Sequence, residues 1–144
     1  MEFAILAQAT QASRIEYGFS LTAWVFLPDH WHAIFYPRYP LTISRVMESI
    51  KDRATKRINR RREEAGKLWQ PRFFDRAVRT VREYGEKVEY IHLNPVKAGL
   101  VARPEDWAWS SVHDYTGSVD HHPLTPSGLS VDLLLLPADP NARI

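Results

Sequence analysis

Two histidines separated by a single residue are the first candidates for chemistry in this sequence. His30 and His32 lie at the start of a segment that reads as a β-strand, and side chains at positions i and i+2 of a strand project from the same face. Two neutral imidazoles on one face can bind a divalent cation and leave coordination positions open for a substrate oxygen. The alternative is a pair of unrelated histidines in a half-buried strand, and the motif taken alone favours that alternative.

A tyrosine and an asparagine four residues apart are the second candidate. On a helix, Tyr90 and Asn94 would share one face, with their Cβ atoms within about 6 Å of each other. A phenol is a poor nucleophile until a metal ion or a base lowers the cost of its phenolate, whereas an amide oxygen can ligate a cation. Alternatively, Tyr90 is a core aromatic residue and Asn94 ends the helix before Pro95, and this alternative is again favoured for the pair alone.

The elements that must position these residues follow from the spacing of the apolar side chains. The predicted helices are residues 3–17, 42–65 and 81–93, and the predicted strands are 19–27, 30–36 and, with less regular alternation, 72–79. Pro28 and Asp29 suit the turn of a β-hairpin, and the third helix should end at Leu93 because the residue before Pro95 is biased out of the α region. This order of elements predicts an α+β fold with helices on one face of an antiparallel sheet.

Length and composition limit the class of protein. The 144 residues suffice for one domain, which we place at residues 1–116, followed by a weakly ordered acidic tail at 117–144. The absence of cysteine excludes disulfides, thiolate zinc sites and a cysteine nucleophile. The sequence contains neither GxxxxGK[ST] nor GxGxxG, which argues against chemistry driven by ATP or NAD. It also lacks a signal peptide and an apolar run long enough to span a bilayer, so we expect a cytoplasmic protein.

Charge is strongly segregated along the chain. Residues 41–103 contain 16 basic and 8 acidic residues, a net charge of +8, whereas residues 104–144 have a net charge of −5. Within the basic block, one side of the helix predicted at 42–65 carries Arg53, Lys56, Arg57 and Arg60. These bases either form a solvated helix face or track the phosphates of a nucleic acid, and charge alone leaves both interpretations open.

Four segments, taken in order, resemble a known family. AWVFLPDHWHAIF, LWQPRFFDRAVR, VEYIHLNPVKAGLV and WAWSS are similar to segments of the single-tyrosine HUH transposases, and most closely to their REP-associated subgroup. HUH denotes histidine, hydrophobic residue, histidine. The resemblance covers roughly residues 1–115. It implies a ferredoxin-like α+β fold, in which an antiparallel sheet carries packed helices.

The resemblance also assigns roles to the candidate residues. His30 and His32 match the paired metal ligands, Tyr90 matches the nucleophile, and Asn94 matches the residue that completes the metal site. The implied activity is cleavage and strand transfer of hairpin-bearing single-stranded DNA, resembling a repetitive extragenic palindrome, through a 5′-phosphotyrosine intermediate. The implied cofactor is Mg²⁺ or Mn²⁺, which would stabilise charge developing on the phosphate. Arg53, Lys56, Arg57 and Arg60 would then contact DNA phosphates.

The sequence departs from the family pattern at its N-terminus. Family members usually begin with a strand before the first helix, whereas here only Met1 and Glu2 precede the predicted helix 3–17. We therefore expect a sheet without its usual first strand. This departure motivates a second hypothesis, that of a catalytically inactive, N-terminally truncated DNA-binding derivative of such a transposase. A third is a small structural α+β protein whose histidines bind nothing. Monomer and homodimer both stay open.

Overall fold

The computed structural model describes residues 3–62, 75–116 and 129–144. Its elements are α1 (Phe3–Tyr17), β1 (Ser20–Phe26), β2 (Trp31–Tyr36), α2 (Ile43–Arg62), α3 (Val81–Lys97) and α4 (Val112–Tyr115), with a 3-10 turn at Pro104–Asp106. The predicted first helix and both strands of the hairpin are confirmed. The second helix is confirmed as far as Arg62, and the remainder of its predicted range lies outside the described residues.

β1 and β2 form an antiparallel hairpin. Val25 pairs with His32, Phe26 pairs with Trp31, and a bulge interrupts the register between Leu21 and Ala23. Leu27 N–H donates to His30 O at 2.8 Å across the Pro28-Asp29 turn, which closes the hairpin directly before the first histidine. Over the described ranges the sheet has these two strands.

Helices cover both faces of this sheet, so the prediction of helices on one face is wrong. Trp24 and Phe26 of β1 pack into a core with α1 and α2, whereas Ala23, Val25 and Leu27 pack against Ile91 of α3. Every residue of β1 after Ser20 is buried. The apolar run of β1 does not alternate with polar residues, and this is the pattern of a strand that is buried on both faces.

α3 begins at a regular cap and continues past the proline that was expected to end it. Thr80 Oγ1 accepts from Glu83 N–H at 3.2 Å, and Glu83 Oε2 accepts from Arg79 N–H at 2.8 Å, a reciprocal arrangement that satisfies two donors at the start of the helix. The predicted end at Leu93 is wrong because Pro95 lies in the last turn, where its missing N–H removes one hydrogen bond only. Gly99, with φ of 73°, follows the helix.

The strand predicted at 72–79 is not found in its described part. Residues 75–79 have no regular secondary structure, and only Thr80 forms an isolated bridge, with Arg143. Residues 72–74 lie outside the described ranges. The sequence between Ala77 and Thr80 leads directly into the cap of α3, and this explains why its imperfect alternation does not produce a strand.

Two segments from the C-terminal half border the edge of β1 that faces away from β2. Phe26 N–H donates to Trp109 O at 2.9 Å, and Asp132 N–H donates to Leu21 O at 2.8 Å. Leu129 is buried in the core beneath α1 and α2. Part of the predicted tail is thus packed on the domain. The boundary at residue 116 and the weak order of the whole tail stay predictions, since residues 117–128 are outside the description.

Among the helices of the described segments, none combines the length and the apolar character that a membrane crossing requires.

Candidate active site

The hairpin turn and the first residues of β2 bring the two histidines together. The ring centroids of His30 and His32 lie 5.0 Å apart, with the rings perpendicular. Trp31 between them packs into the core under α1 and α2, so its neighbours face α3 on the opposite side of the sheet. The common face predicted from the spacing of the two histidines is therefore present.

α3 places Tyr90 beside these histidines. The Tyr90 and His32 ring centroids lie 5.6 Å apart, and Tyr90 is 41% exposed. The neighbouring Ile91 is buried against β1, which fixes the distance between the helix and the hairpin. Asn94 is partly buried and follows Tyr90 by one helical turn on the same face. Its role as a metal ligand, like the roles of the other candidate residues, stays a prediction.

Electrostatics and hydrogen bonding keep both imidazoles suited to ligate a cation. Burial, followed in size by the charges of His30 and Lys87, lowers the pKa of His32, so its ring is neutral at pH 7 and carries a free lone pair. Asp29 Oδ1 accepts from His30 Nδ1 at 2.6 Å, and this hydrogen bond lowers the pKa of the Asp29 carboxyl. Because Asp29 binds Nδ1 of His30, the other ring nitrogen, Nε2, points away from Asp29 and is available to a cation.

Asp29 is a residue whose role sequence reasoning missed, since it was interpreted only as part of the turn. The signal was available, because a carboxylate directly before a histidine at a turn is placed to orient that histidine.

The donor set fits a divalent cation held by few protein ligands. In the described parts of the chain, no group of three His, Asp or Glu side chains is arranged so that it could hold a metal ion by itself. The two imidazoles could therefore hold a cation only together with other oxygen donors, such as the Asn94 amide, water or a substrate phosphate. Such an incompletely coordinated site is the arrangement that a catalytic metal requires.

Two lysines that the sequence analysis did not single out surround the phenol. Lys87 Nζ lies 5.1 Å and Lys97 Nζ lies 5.4 Å from the centroid of the Tyr90 ring. A cavity of about 260 Å³ opens beside the same ring, and its lining includes Lys87 and Arg76. The missed signal is the spacing of positions 87, 90, 94 and 97, which repeats one helix face.

The four basic residues of α2 are not brought to this site. α2 covers the other face of the sheet, and the contacts of these bases are with α1 and α2. Arg53 pairs with Glu16, Lys56 pairs with Asp52 at 3.0 Å, Arg57 donates to Gln8 Oε1 at 2.9 Å, and Arg60 is exposed. Their role in DNA binding stays a prediction. DNA that contacts both the α2 bases and Tyr90 must pass around the sheet.

Hydrogen bonds of buried polar side chains link the side of α3 that faces away from Tyr90 to β1. His92 Nε2 is hydrogen-bonded to Ser111 Oγ at 2.8 Å, and the same oxygen accepts from Trp24 N–H at 2.9 Å. Burial, with a smaller effect of the His113 charge, lowers the pKa of His92 to about 4. His92 is thus a structural residue on the side of α3 that faces away from Tyr90.

Tyr84 and Tyr115 extend this buried link. Their hydroxyl groups lie 2.7 Å apart, and the Tyr115 hydroxyl also donates to Thr22 O. Burial and the hydrogen bond with Tyr84 raise the pKa of Tyr115 well above its ordinary range. Tyr84 is only 5% exposed, so among the tyrosines of α3 only Tyr90 presents its ring to solvent.

The fold and the site together define an α+β protein of the HUH type, in which a strand with paired histidines faces a helix that bears an exposed tyrosine. Residues 5–94 match the family described as IS200-like transposases, and the chain belongs to this family. It is 33% identical over 113 residues to the REP-associated tyrosine transposase of Escherichia coli K12, a match that covers 78% of this chain and 66% of that protein.

Two further comparisons agree with this assignment. A protein of Haemophilus influenzae assigned to the same group is 29% identical over 107 residues, covering 67% of this chain and 61% of that protein. A solved structure of a REP-associated tyrosine transposase bound to a REP hairpin superposes with a TM-score of 0.72 at 30% identity, covering 97% of this chain and 79% of the other. The chain thus spans just under two thirds of the length of the first of these relatives and about three fifths of the second.

Proposed function

We propose that this chain cleaves and rejoins hairpin-bearing single-stranded DNA, with Tyr90 as the nucleophile. The observation that carries the proposal is the position of Tyr90, whose exposed ring lies 5.6 Å from that of His32. A phenol that is accessible to a polymer and lies beside one imidazole of a histidine pair is a combination that suits metal-assisted attack on a phosphodiester.

The reaction is a transesterification. Tyr90 Oη attacks the phosphorus, and the bond between phosphorus and the 3′ oxygen breaks. The products are a 5′-phosphotyrosine and a strand that ends in a 3′-hydroxyl. The phenolic proton leaves to solvent, and the released 3′ oxygen takes up a proton. Attack of a 3′-hydroxyl on the phosphotyrosine reverses the step and joins strands, so no nucleotide cofactor is needed.

The residues around Tyr90 have separate roles in this reaction. His30 and His32, with Asn94 as a third protein ligand, would hold Mg²⁺ or Mn²⁺. When bound, the cation supplies polarisation of a phosphate oxygen and stabilisation of the charge that develops there. Asp29 fixes the orientation of His30 through its hydrogen bond, and the neutral state of His32 preserves its lone pair.

Hairpin DNA is the proposed partner. The similar solved transposase is bound to a REP hairpin, and the α2 bases supply positive charge for phosphates beyond the cleaved linkage. Contacts of that kind give an affinity that falls as salt rises and that carries little sequence information.

The test is the formation of a covalent adduct by full-length protein. The substrate is a pool of single-stranded oligonucleotides with a hairpin and randomised flanks, labelled at the 3′ end because the tyrosine retains the 5′ phosphate of the downstream strand. With Mg²⁺ or Mn²⁺, we expect a denaturant-stable labelled band. Tyr90→Phe should lose it and still bind, while Tyr39→Phe, which alters a tyrosine that is 98% exposed, should retain it.

The controls separate the competing hypotheses. An adduct that persists in Tyr90→Phe would show that another residue is the nucleophile. Salt-sensitive hairpin binding without any adduct in the wild type would select the inactive DNA-binding derivative. If the wild type forms no adduct and does not bind the hairpin, the proposal is contradicted altogether.

A further inference from the structure

Four side chains on one face of α3 form a stripe, which we define as Lys87, Tyr90, Asn94 and Lys97. Residues ten positions apart on a helix are separated by about 15 Å along its axis. The ammonium groups of Lys87 and Lys97 nevertheless both approach the ring between them, to 5.1 and 5.4 Å from its centroid. Their long side chains therefore converge from the two ends of the stripe on the phenol.

The ammonium groups of these lysines lie at the phenol, although Glu83 and Glu86 line the same cavity as Lys87. Among the residues that the structure describes, no carboxylate forms an ion pair with either lysine. The Tyr90 ring that Lys87 Nζ approaches to 5.1 Å lies 5.6 Å from the His32 ring. Lys87 thus lies on the phenol that borders the histidine strand, and an attacked phosphate must lie beside this phenol.

We propose that Lys87 and Lys97 bind the phosphodiester that Tyr90 attacks and continue to hold the same phosphate in the phosphotyrosine. This inference rests on the proposed function and adds two substrate-binding residues to it. The α2 bases cannot fill this role because they lie across the sheet from Tyr90.

The chemistry favours lysine in such a position. A phosphodiester carries one negative charge, and a second develops on its oxygens when the phenol attacks. An ammonium group is a compact donor that binds phosphate as a point charge, and a fixed cation near the developing charge stabilises the transition state more than the ground state. Two cations beside the phenol also retain the phosphate after the 3′-hydroxyl strand has been released.

The simpler interpretation is that these are two solvated surface lysines. Lys97 lies in the last turn of α3, where a cation interacts favourably with the helix dipole. That interpretation predicts an effect of substitution on helix stability and none on phosphate binding, so the two can be separated by experiment.

The first measurement titrates inorganic phosphate into full-length protein that carries ¹³C at the lysine ε-carbons. We expect saturable shifts of the Lys87 and Lys97 signals, whereas Lys51, a partly buried residue of α2 that has no assigned role in DNA binding, should shift little. This measurement does not depend on cleavage. An equal response of Lys51 would show that phosphate meets only general surface charge, and that result would overturn the proposal.

The second measurement is single-turnover adduct formation on the hairpin pool. Lys87→Met and Lys97→Met should each slow it by about 10- to 100-fold at saturating DNA, with Lys87→Arg retaining most of the rate. The slope of log affinity against log salt should fall by about 0.7 for each Met variant, the value for one phosphate contact on a single strand. Arg82→Met removes the same charge from an exposed position of α3 and should leave the rate unchanged.

The outcomes distinguish the two proposals. Normal rates in both Met variants, or an equal loss in Arg82→Met, would overturn the role of the lysines while leaving Tyr90 as the nucleophile. Shifts of Lys87 and Lys97 with phosphate in a wild type that forms no adduct would support the phosphate site and contradict the proposed cleavage.

Discussion

His32 and His92 are both neutral imidazoles, yet their surroundings suit them to different tasks. His32 lies beside an exposed tyrosine, so a ligand can reach its ring. His92 is 7% exposed and is closed in by Ser111 and Tyr115. Ser111 Oγ accepts from Trp24 N–H and is also hydrogen-bonded to His92 Nε2. This nitrogen of His92 is therefore occupied by a protein partner.

The state of His92 predicts a loss of stability in acid. Its pKa is about 4 in the folded protein against an ordinary 6.5, so the unfolded chain binds the proton more readily between these values. Stability therefore falls as pH drops below 6.5 and continues to fall towards pH 4. We expect wild type to lose about 2 kcal/mol more unfolding free energy than His92→Gln between pH 7 and pH 4.5.

Denaturant unfolding with EDTA present measures this difference without interference from bound metal. Equal losses in wild type and His92→Gln would mean that the ring is not held neutral by the fold.

At the scale of elements, the hairpin was predictable and its surroundings were not. The aromatic and β-branched segments around Pro28 and Asp29 define both strands locally, and the period of two places His30 and His32 on one face. Which helix covers that face depends on contacts between distant parts of the chain. The distance between His32 and Tyr90 could be obtained from the family resemblance only, because no local pattern joins residues 58 positions apart.

The end of α3 shows a similar limit. The bias before Pro95 is a local preference, and the burial of Pro95 against the domain overrides it. The additional turn matters for function, since it places Lys97 on the same face as Tyr90. The apolar run of β1, in contrast, is a local signal of a strand covered on both faces.

A test at this scale concerns the link between α3 and β1. Ser111→Ala removes the acceptor of Trp24 N–H and the partner of His92 in one step. Leaving such buried groups without partners should lower the free energy of unfolding by about 1–3 kcal/mol, as measured by denaturant titration. Ser44→Ala, at an exposed position of α2, is the matched control and should change stability by less than about 0.5 kcal/mol. A similar small effect in both variants would show that the link contributes little.

At the scale of the whole molecule, residues distant in sequence complete the edge of β1. Arg14 of α1 pairs with Asp132 at 2.7 Å, and the same carboxylate oxygen accepts from Leu21 N–H at 3.0 Å. Trp24 Nε1 donates to Leu129 O at 3.2 Å. Composition alone predicted weak order for this acidic segment, since accumulated Pro, Gly, Ser and Asp are typical of loops. Leu129 and Asp132 are isolated residues that do not form a periodic pattern, so neither composition nor spacing could identify their contacts with the domain.

Two leucines near the C-terminus provide the corresponding test. Leu129 is 2% exposed in the core, whereas Leu135 is 103% exposed. Leu129→Ala leaves a cavity beside Trp24 and should lower the free energy of unfolding by about 2–4 kcal/mol, while Leu135→Ala makes the same chemical change and should have an effect below about 0.5 kcal/mol. Because Leu129 lies across the sheet from α3, the cleavage rate of folded Leu129→Ala should match that of wild type. Equal and small stability losses in the two variants would mean that the segment after residue 128 does not belong to the folded unit.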